Sequence, residues 1–145
     1  MESHKLSLRV EKLESFLHFL SAAKSEIRFS ALPVAGILQK HSEGIEFFWL
    51  IPDGTSGDDW AKSWNDAVLA GAVHEGFSQK DLELLTGFGE GFGTSDTEGQ
   101  IAHFSLYENL TSSALREARE ERNRKSKLYR MLGIFGGTAA AILLC

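Results

Sequence analysis

Nothing constrains this chain more than its C-terminal third, Ser95 to Cys145, which reads as one unbroken helix. Ser95-Asp96-Thr97-Glu98 fits the S-x-x-E capping box. Ser95 is expected to accept a backbone N–H of the first turn, and Glu98 to reach back to the cap. Asp96 and Glu98 also set negative charge at the positive end of the helix dipole. No proline follows Pro52, so nothing of that kind stops the helix. Along it, Ile101, Phe104, Tyr107, Leu110 and Ala114 recur at steps of three and four, an apolar stripe for packing on a bundle. Arg116 to Arg130 is almost wholly charged, with favourable i,i+4 pairs Glu120–Arg124 and Glu121–Lys125. The stripe thins after Ala118, so this part is expected to project from the bundle as a stalk. Met131 to Cys145 carries no charge.

At about 1.5 Å per residue, Leu128 to Cys145 spans roughly 27 Å, against roughly 30 Å for a bilayer's hydrocarbon core. Length alone leaves a buried C-terminal helix open. The flank favours a membrane span. Arg122, Arg124, Lys125, Lys127 and Arg130 immediately precede the apolar run and nothing charged follows, which places the body on the cytoplasmic side. Gly133, Gly137, Ala141 and Cys145 are spaced by four. They form either a small-residue ridge for close helix packing or a ridge that simply faces lipid.

The rest of the chain predicts helices. Leu6, Val10, Leu13, Leu17, Leu20 and Ile27 step by four and three, and Phe16, Phe19 and Ala23 widen that seam into a core-facing stripe. The width favours burial in a bundle over a free coiled coil. Pro33 suits the first turn of a short helix from Val34 to His41. Ile45 to Ile51 is an apolar run that suits a strand or a short helix. With no second strand candidate to pair with it, we read it as a short helix. Pro52 to Gly57 reads as a loop. Asp58 and Asp59 open a further helix with Trp60, Trp64, Ala67, Val68 and Gly71 on one side. Ser78 with Asp81 marks another start, followed by Leu82, Leu84, Leu85 and Phe88.

Composition narrows the function. Of the net charge of −5, residues 116–130 contribute +4, leaving −9 on residues 1–115. A body that acidic is a poor binder of a phosphate backbone, so nucleic acid is not an expected partner. The single cysteine is the last residue, which removes intrachain disulfides and cysteine metal clusters, and Met1 to Lys5 is too polar to open a signal peptide. Gly87-Phe88-Gly89-Glu90-Gly91-Phe92-Gly93 suggests a phosphate loop, yet fits G-x-G-x-x-G in no frame and precedes no G-K-[ST]. It reads better as a helix end where glycines admit a close neighbour, with Gly93 near the C′ position. The five histidines show no ligand spacing. Glu98 and His103 lie about 140° apart around a helix and do not make an adjacent pair. His103 is expected to hydrogen-bond in the packed core near the cap. No catalytic, cofactor or metal set emerges, and no small-molecule substrate is expected.

Phe88-Gly89, the run Gly93-Thr94-Ser95-Asp96-Thr97-Glu98-Gly99-Gln100-Ile101-Ala102-His103-Phe104, and the tail Leu128-Tyr129-Arg130-Met131-Leu132-Gly133-Ile134-Phe135-Gly136-Gly137 resemble the stage III sporulation protein AB family. That family is similar to the cytoplasmic domain of type II secretion F-type inner-membrane platform proteins. The resemblance covers the chain from about Arg9 onward. The family carries a transmembrane helix ahead of its first cytoplasmic helices, a segment this sequence does not include.

The expectation is therefore an all-α protein: a cytoplasmic helical bundle at 1–127, with a basic stalk at 116–127, and a C-terminal transmembrane helix at 128–145. The resemblance implies a non-enzymatic component of the transenvelope channel between mother cell and forespore, required for endospore formation. It would sit in the mother-cell membrane with other stage III channel proteins, and could contact the cytoplasmic ATPase of that system. Two other classes stay open: a soluble helical domain whose last helix binds a partner, and a nucleotide-binding enzyme using the glycine run.

Overall fold

The computed structural model describes residues 2–29, 37, 40–41, 44–51, 59–91 and 96–144, and no side chain from 133 onward. Among these residues every regular element is helical. In chain order they are α1 (Glu2–Phe29), a 3-10 helix (Glu46–Leu50), α2 (Asp59–Gly71), a 3-10 helix (Ala72–Glu75), α3 (Gln79–Gly91) and α4 (Thr97–Leu144). The apolar run at Ile45–Ile51 thus folds as a tight helical turn rather than a strand. Of the helix expected at Val34–His41, Ile37 and Lys40 are helical, and His41 N–H donates to Ile37 O at 3.0 Å. The expected loop at Pro52–Gly57 lies outside the described residues, as does Asp58.

Two long helices form the frame. α1 and α4 run antiparallel, since Lys24 pairs with Glu108 (2.7 Å), Glu14 with Arg119 (2.9 Å) and Arg9 with Glu121 (3.7 Å). The seam read from the sequence is the one α1 buries: Val10, Leu13, Phe16, Phe19, Leu20 and Ala23 are in the core, with Leu17 and Ile27 packed at its edge. α2 contributes Trp60, Trp64, Ala67 and Val68, and α3 contributes Leu82, Leu85 and Phe88. The centre is aromatic, with Trp64 against Phe47 (5.4 Å), Phe48 (5.3 Å) and Phe88 (5.2 Å). Most of these ring pairs meet tilted or edge to face, the arrangements that the ring quadrupole favours.

On α4 the buried line differs from the expected stripe. Gln100, Phe104, Thr111, Leu115 and Ala118 are buried, whereas Tyr107 and Ala114 are half-buried and Leu110 is exposed. The apolar spacing was real but served two faces: one packs on α1, and the other lies open beside α3.

The stalk expectation needs correcting in its first part, because Glu117 to Glu121 lies beside α1 and α3. Arg119 and Glu121 both bond back to α1, and Lys80 of α3 pairs with Glu117 at 3.2 Å. α4 itself continues without a break to Leu144. Of the two intrahelical pairs foreseen there, Glu121–Lys125 is formed at 3.9 Å. Among the described residues no helix is long and apolar enough to cross a membrane.

Candidate functional site

The run Gly93 to Phe104 lies at the junction of α3 and α4, and its described residues bind the ends of the two helices together. Asp96 precedes the first helical residue, and its Oδ1 accepts the Gly99 N–H at 2.9 Å. That makes Asp96 the N-cap and Gly99 the third helical residue, one position on from the capping box placed on Ser95 and Glu98. Both Asp and Ser can cap. The helix begins one residue later, and Gly99 has no side chain with which to complete a reciprocal box. Ser95 and Gly93 lie outside the described residues. Substituting Asp96→Ala is expected to cost about 1 kcal/mol, read as a lower unfolding midpoint of the full chain in detergent. An unchanged midpoint would mean the Asp96 carboxylate contributes nothing at this end.

Gln100 and His103 act on the other helix. Gln100 Nε2 donates to Gly91 O at 2.9 Å, and His103 Nε2 lies 2.7 Å from Phe88 O. Both carbonyls lie in the last turn of α3, where no intrahelical partner remains for them. A carbonyl can only accept, so His103 presents its Nε2–H to Phe88. The ring also stacks on Phe88, with centroids 5.2 Å apart and planes 23° from parallel. Phe104 packs edge-on against Phe88 at 5.1 Å. The expectation that His103 bonds in the packed core near the cap is met. Glu98 is exposed and is not drawn to it.

The glycines explain why α3 can approach α4, and also α2, so closely. Gly87, Gly89 and Gly91 lie on α3 as ordinary helical residues. A Cβ at Gly89 would fall 2.0 Å from Trp64 Cδ1, one at Gly91 2.5 Å from His103 Cε1, and one at Gly87 2.6 Å from Tyr107 Oη. Each glycine therefore makes room for an aromatic or imidazole ring rather than cradling a phosphate.

Two polar clusters escaped the sequence reading. Arg9 on α1 makes a bidentate pair with Asp81 on α3, Nε to Oδ2 at 2.8 Å and Nη2 to Oδ1 at 3.0 Å, with only 11% and 2% of the two side chains exposed. The same carboxylate accepts Ser78 N–H at 2.9 Å, while Asp81 N–H donates to Ser78 Oγ at 3.2 Å. The helix start expected at Ser78 and Asp81 is thus a capping box that also holds a buried arginine. Hydrogen bonding to Asp81 raises the Arg9 pKa further above its already high value, overriding the opposing effect of burial. In the second cluster, buried Glu75 accepts the backbone N–H groups of Glu46 (2.6 Å) and Phe47 (2.8 Å) and pairs with Lys12 at 3.3 Å. It caps the first 3-10 helix from a distant part of the chain, since Ile45 offers no side-chain cap. The only local signals were an arginine beside an apolar seam and a glutamate just before Gly76.

The expected membrane flank falls on the far part of α4. Arg124, Lys127 and Arg130 are exposed there, and Arg122 and Lys125 are half-exposed. The side chains of Gly133, Gly137 and Ala141 lie outside the described set. Among the described residues no group of three or more His, Cys, Asp or Glu side chains is placed to hold a metal ion.

Fold and junction together define an all-helical bundle whose last helix runs on beyond the packed core. The family model for Stage III sporulation protein AB matches residues 1–145, the whole chain. The chain belongs to the stage III sporulation protein AB family and has a role in stage III of sporulation. The match also takes in the eight residues ahead of Arg9, where the sequence resemblance began. Neither the curated proteins nor the solved structures yielded a match.

Proposed function

We propose that this chain is a non-enzymatic structural component of the sporulation channel between mother cell and forespore, held at the mother-cell membrane by residues 128–145. The observation that carries the reading is the single helix α4, which joins the packed bundle to an uncharged end through a collar of exposed cations. Family membership supplies the sporulation role. Channel membership rests on the resemblance to that family, and contact with the associated ATPase on the family's likeness to F-type secretion platform proteins. In this reading α4 is a spacer. From Thr97 to Ala118 it packs on α1 and α3, Arg119 and Glu121 tie it further to α1, and its end enters the bilayer as a single pass. The domain is then held at a fixed height over the cytoplasmic face, where partners of the complex dock on it.

Deleting residues 128–145 tests this. The truncated bundle is expected to stay folded, to leave carbonate-washed membranes, and to abolish formation of heat-resistant spores. Normal spore counts from that truncation, at normal protein levels, would exclude a membrane-held structural role.

A further inference from the structure

The open face of α4 has a partner chemistry written around it. Leu84 of α3 and Tyr107, Leu110 and Ala114 of α4 floor a groove of about 380 Å³ between the two helices. Leu106 extends the apolar strip by one turn. Both Leu106 (53% exposed) and Leu110 (43%) stand in water. From Tyr107 to Glu117 the groove follows about 15 Å of α4, close to three helical turns. Its edges are acidic on balance, with Lys80 the one cation that lines it among the described residues. Glu83 and Glu117 border it, Glu90 lies beyond its Tyr107 end, and Glu117 is paired across with Lys80. Among the described residues no ion pair engages Glu83 or Glu90. Burial, and after it the negative charge of Glu90, push the Tyr107 phenol pKa up.

We infer that this α3–α4 groove is a docking site for a basic amphipathic helix of a partner protein. An apolar floor with exposed leucines one turn apart accepts a helix that presents residues at i, i+3, i+4 and i+7. The unpaired carboxylates of Glu83 on the edge and Glu90 beyond it select lysine and arginine on the flanks of that helix. A second copy of this chain does not supply such a helix. Its basic segment has no apolar residue between Ala118 and Leu128, and the exposed Leu128, Met131 and Leu132 that follow lie at the membrane in the function proposed above. The groove itself is a surface of the bundle, and the inference rests on the proposed membrane anchor only in excluding a second copy as its occupant.

The test uses the full chain in nanodiscs of zwitterionic lipid, with empty discs as baseline. The probe is a fluorescent synthetic helix of about 16 residues, long enough to hold helical structure once docked. It carries leucine at i, i+3, i+4 and i+7 and lysine elsewhere. The probe is expected to bind above baseline, and more weakly as salt rises. Leu110→Glu and, separately, the double variant Glu83→Lys/Glu90→Lys are each expected to weaken binding roughly tenfold, as loss of a central contact or of the complementary charge should. Leu69→Glu, at an exposed leucine on α2 away from the groove, should leave binding unchanged. The exposed double variant keeps the test decisive should Leu110→Glu disturb the fold. Equal binding by wild type and both groove variants, or by the probe and an all-glutamate counterpart, overturns the inference, as does no binding above empty discs. A self-associated wild type that Leu110→Glu splits into single chains also overturns it, by making the occupant a second copy.

Discussion

Replacing Asp81 with alanine is expected to lower the unfolding free energy by about 3–5 kcal/mol, the range for breaking one side of a buried ion pair. Asp81 is the only carboxylate in bidentate contact with Arg9 among the described residues, and it also accepts the N–H of Ser78, the residue before α3. Without it the guanidinium stays buried with one longer contact, to Glu121 at 3.7 Å, and Ser78 loses its reciprocal partner. Three helices are joined at this point, so the loss is felt across the bundle. Urea unfolding of the full chain in mild detergent, followed by tryptophan fluorescence, reads it directly. Glu121→Ala is the matched control. That side chain is 40% exposed, and the change should cost less than about 1 kcal/mol. Similar midpoints for the two variants would mean that Arg9 is satisfied without Asp81.

Gly89→Ala should be the second large loss, about 2–3 kcal/mol, although alanine gains up to about 1 kcal/mol over glycine in helix propensity. The added methyl would sit 2.0 Å from Trp64 Cδ1. Trp64 cannot swing away: it is fully buried, its Nε1–H donates to Leu85 O at 2.7 Å, and Phe16, Phe47, Phe48 and Phe88 surround it. Gly87→Ala gives the contrast. Its nearest neighbour is the Tyr107 hydroxyl, the far end of a half-exposed side chain that can turn aside, so that variant should be neutral or slightly more stable. Thermal melts of the two variants compare them directly. A Gly89→Ala melt as high as wild type would mean that the glycine is not there to admit the indole.

The helical class, the α1 seam and the start of α3 were legible because each rests on spacing within one segment. Hydrophobic period and capping chemistry are local, and a sequence displays them openly. The aromatic core was half legible: Trp60, Trp64 and Phe88 marked faces, but which rings would meet depends on how helices cross. The Asp96 cap was missed by one residue because Ser95 and Asp96 cap equally well, and only the backbone decides between them. Arg9–Asp81 and the Glu75 cap were illegible. They join residues far apart in the chain, and neither partner carries a local pattern that demands the other. The path of the charged segment was misjudged for a related reason. Its lack of apolar residues suggested a free stalk, whereas Arg119 and Glu121 at its start form ion pairs with α1. His103 was readable as a packing residue, though not as the donor that closes the end of α3.

The reading of the whole molecule turns on whether α4 carries its C-terminus through the bilayer while the bundle stays inside. Labelling of Cys145 with a membrane-impermeant thiol reagent tests this most directly, because no other cysteine in the chain can report. Applied to intact cells that hold the chain in their membrane, the reagent is expected to modify Cys145 from outside before any lysis. Modification only after the cells are opened would contradict the account and leave α4 ending on the same side as the bundle.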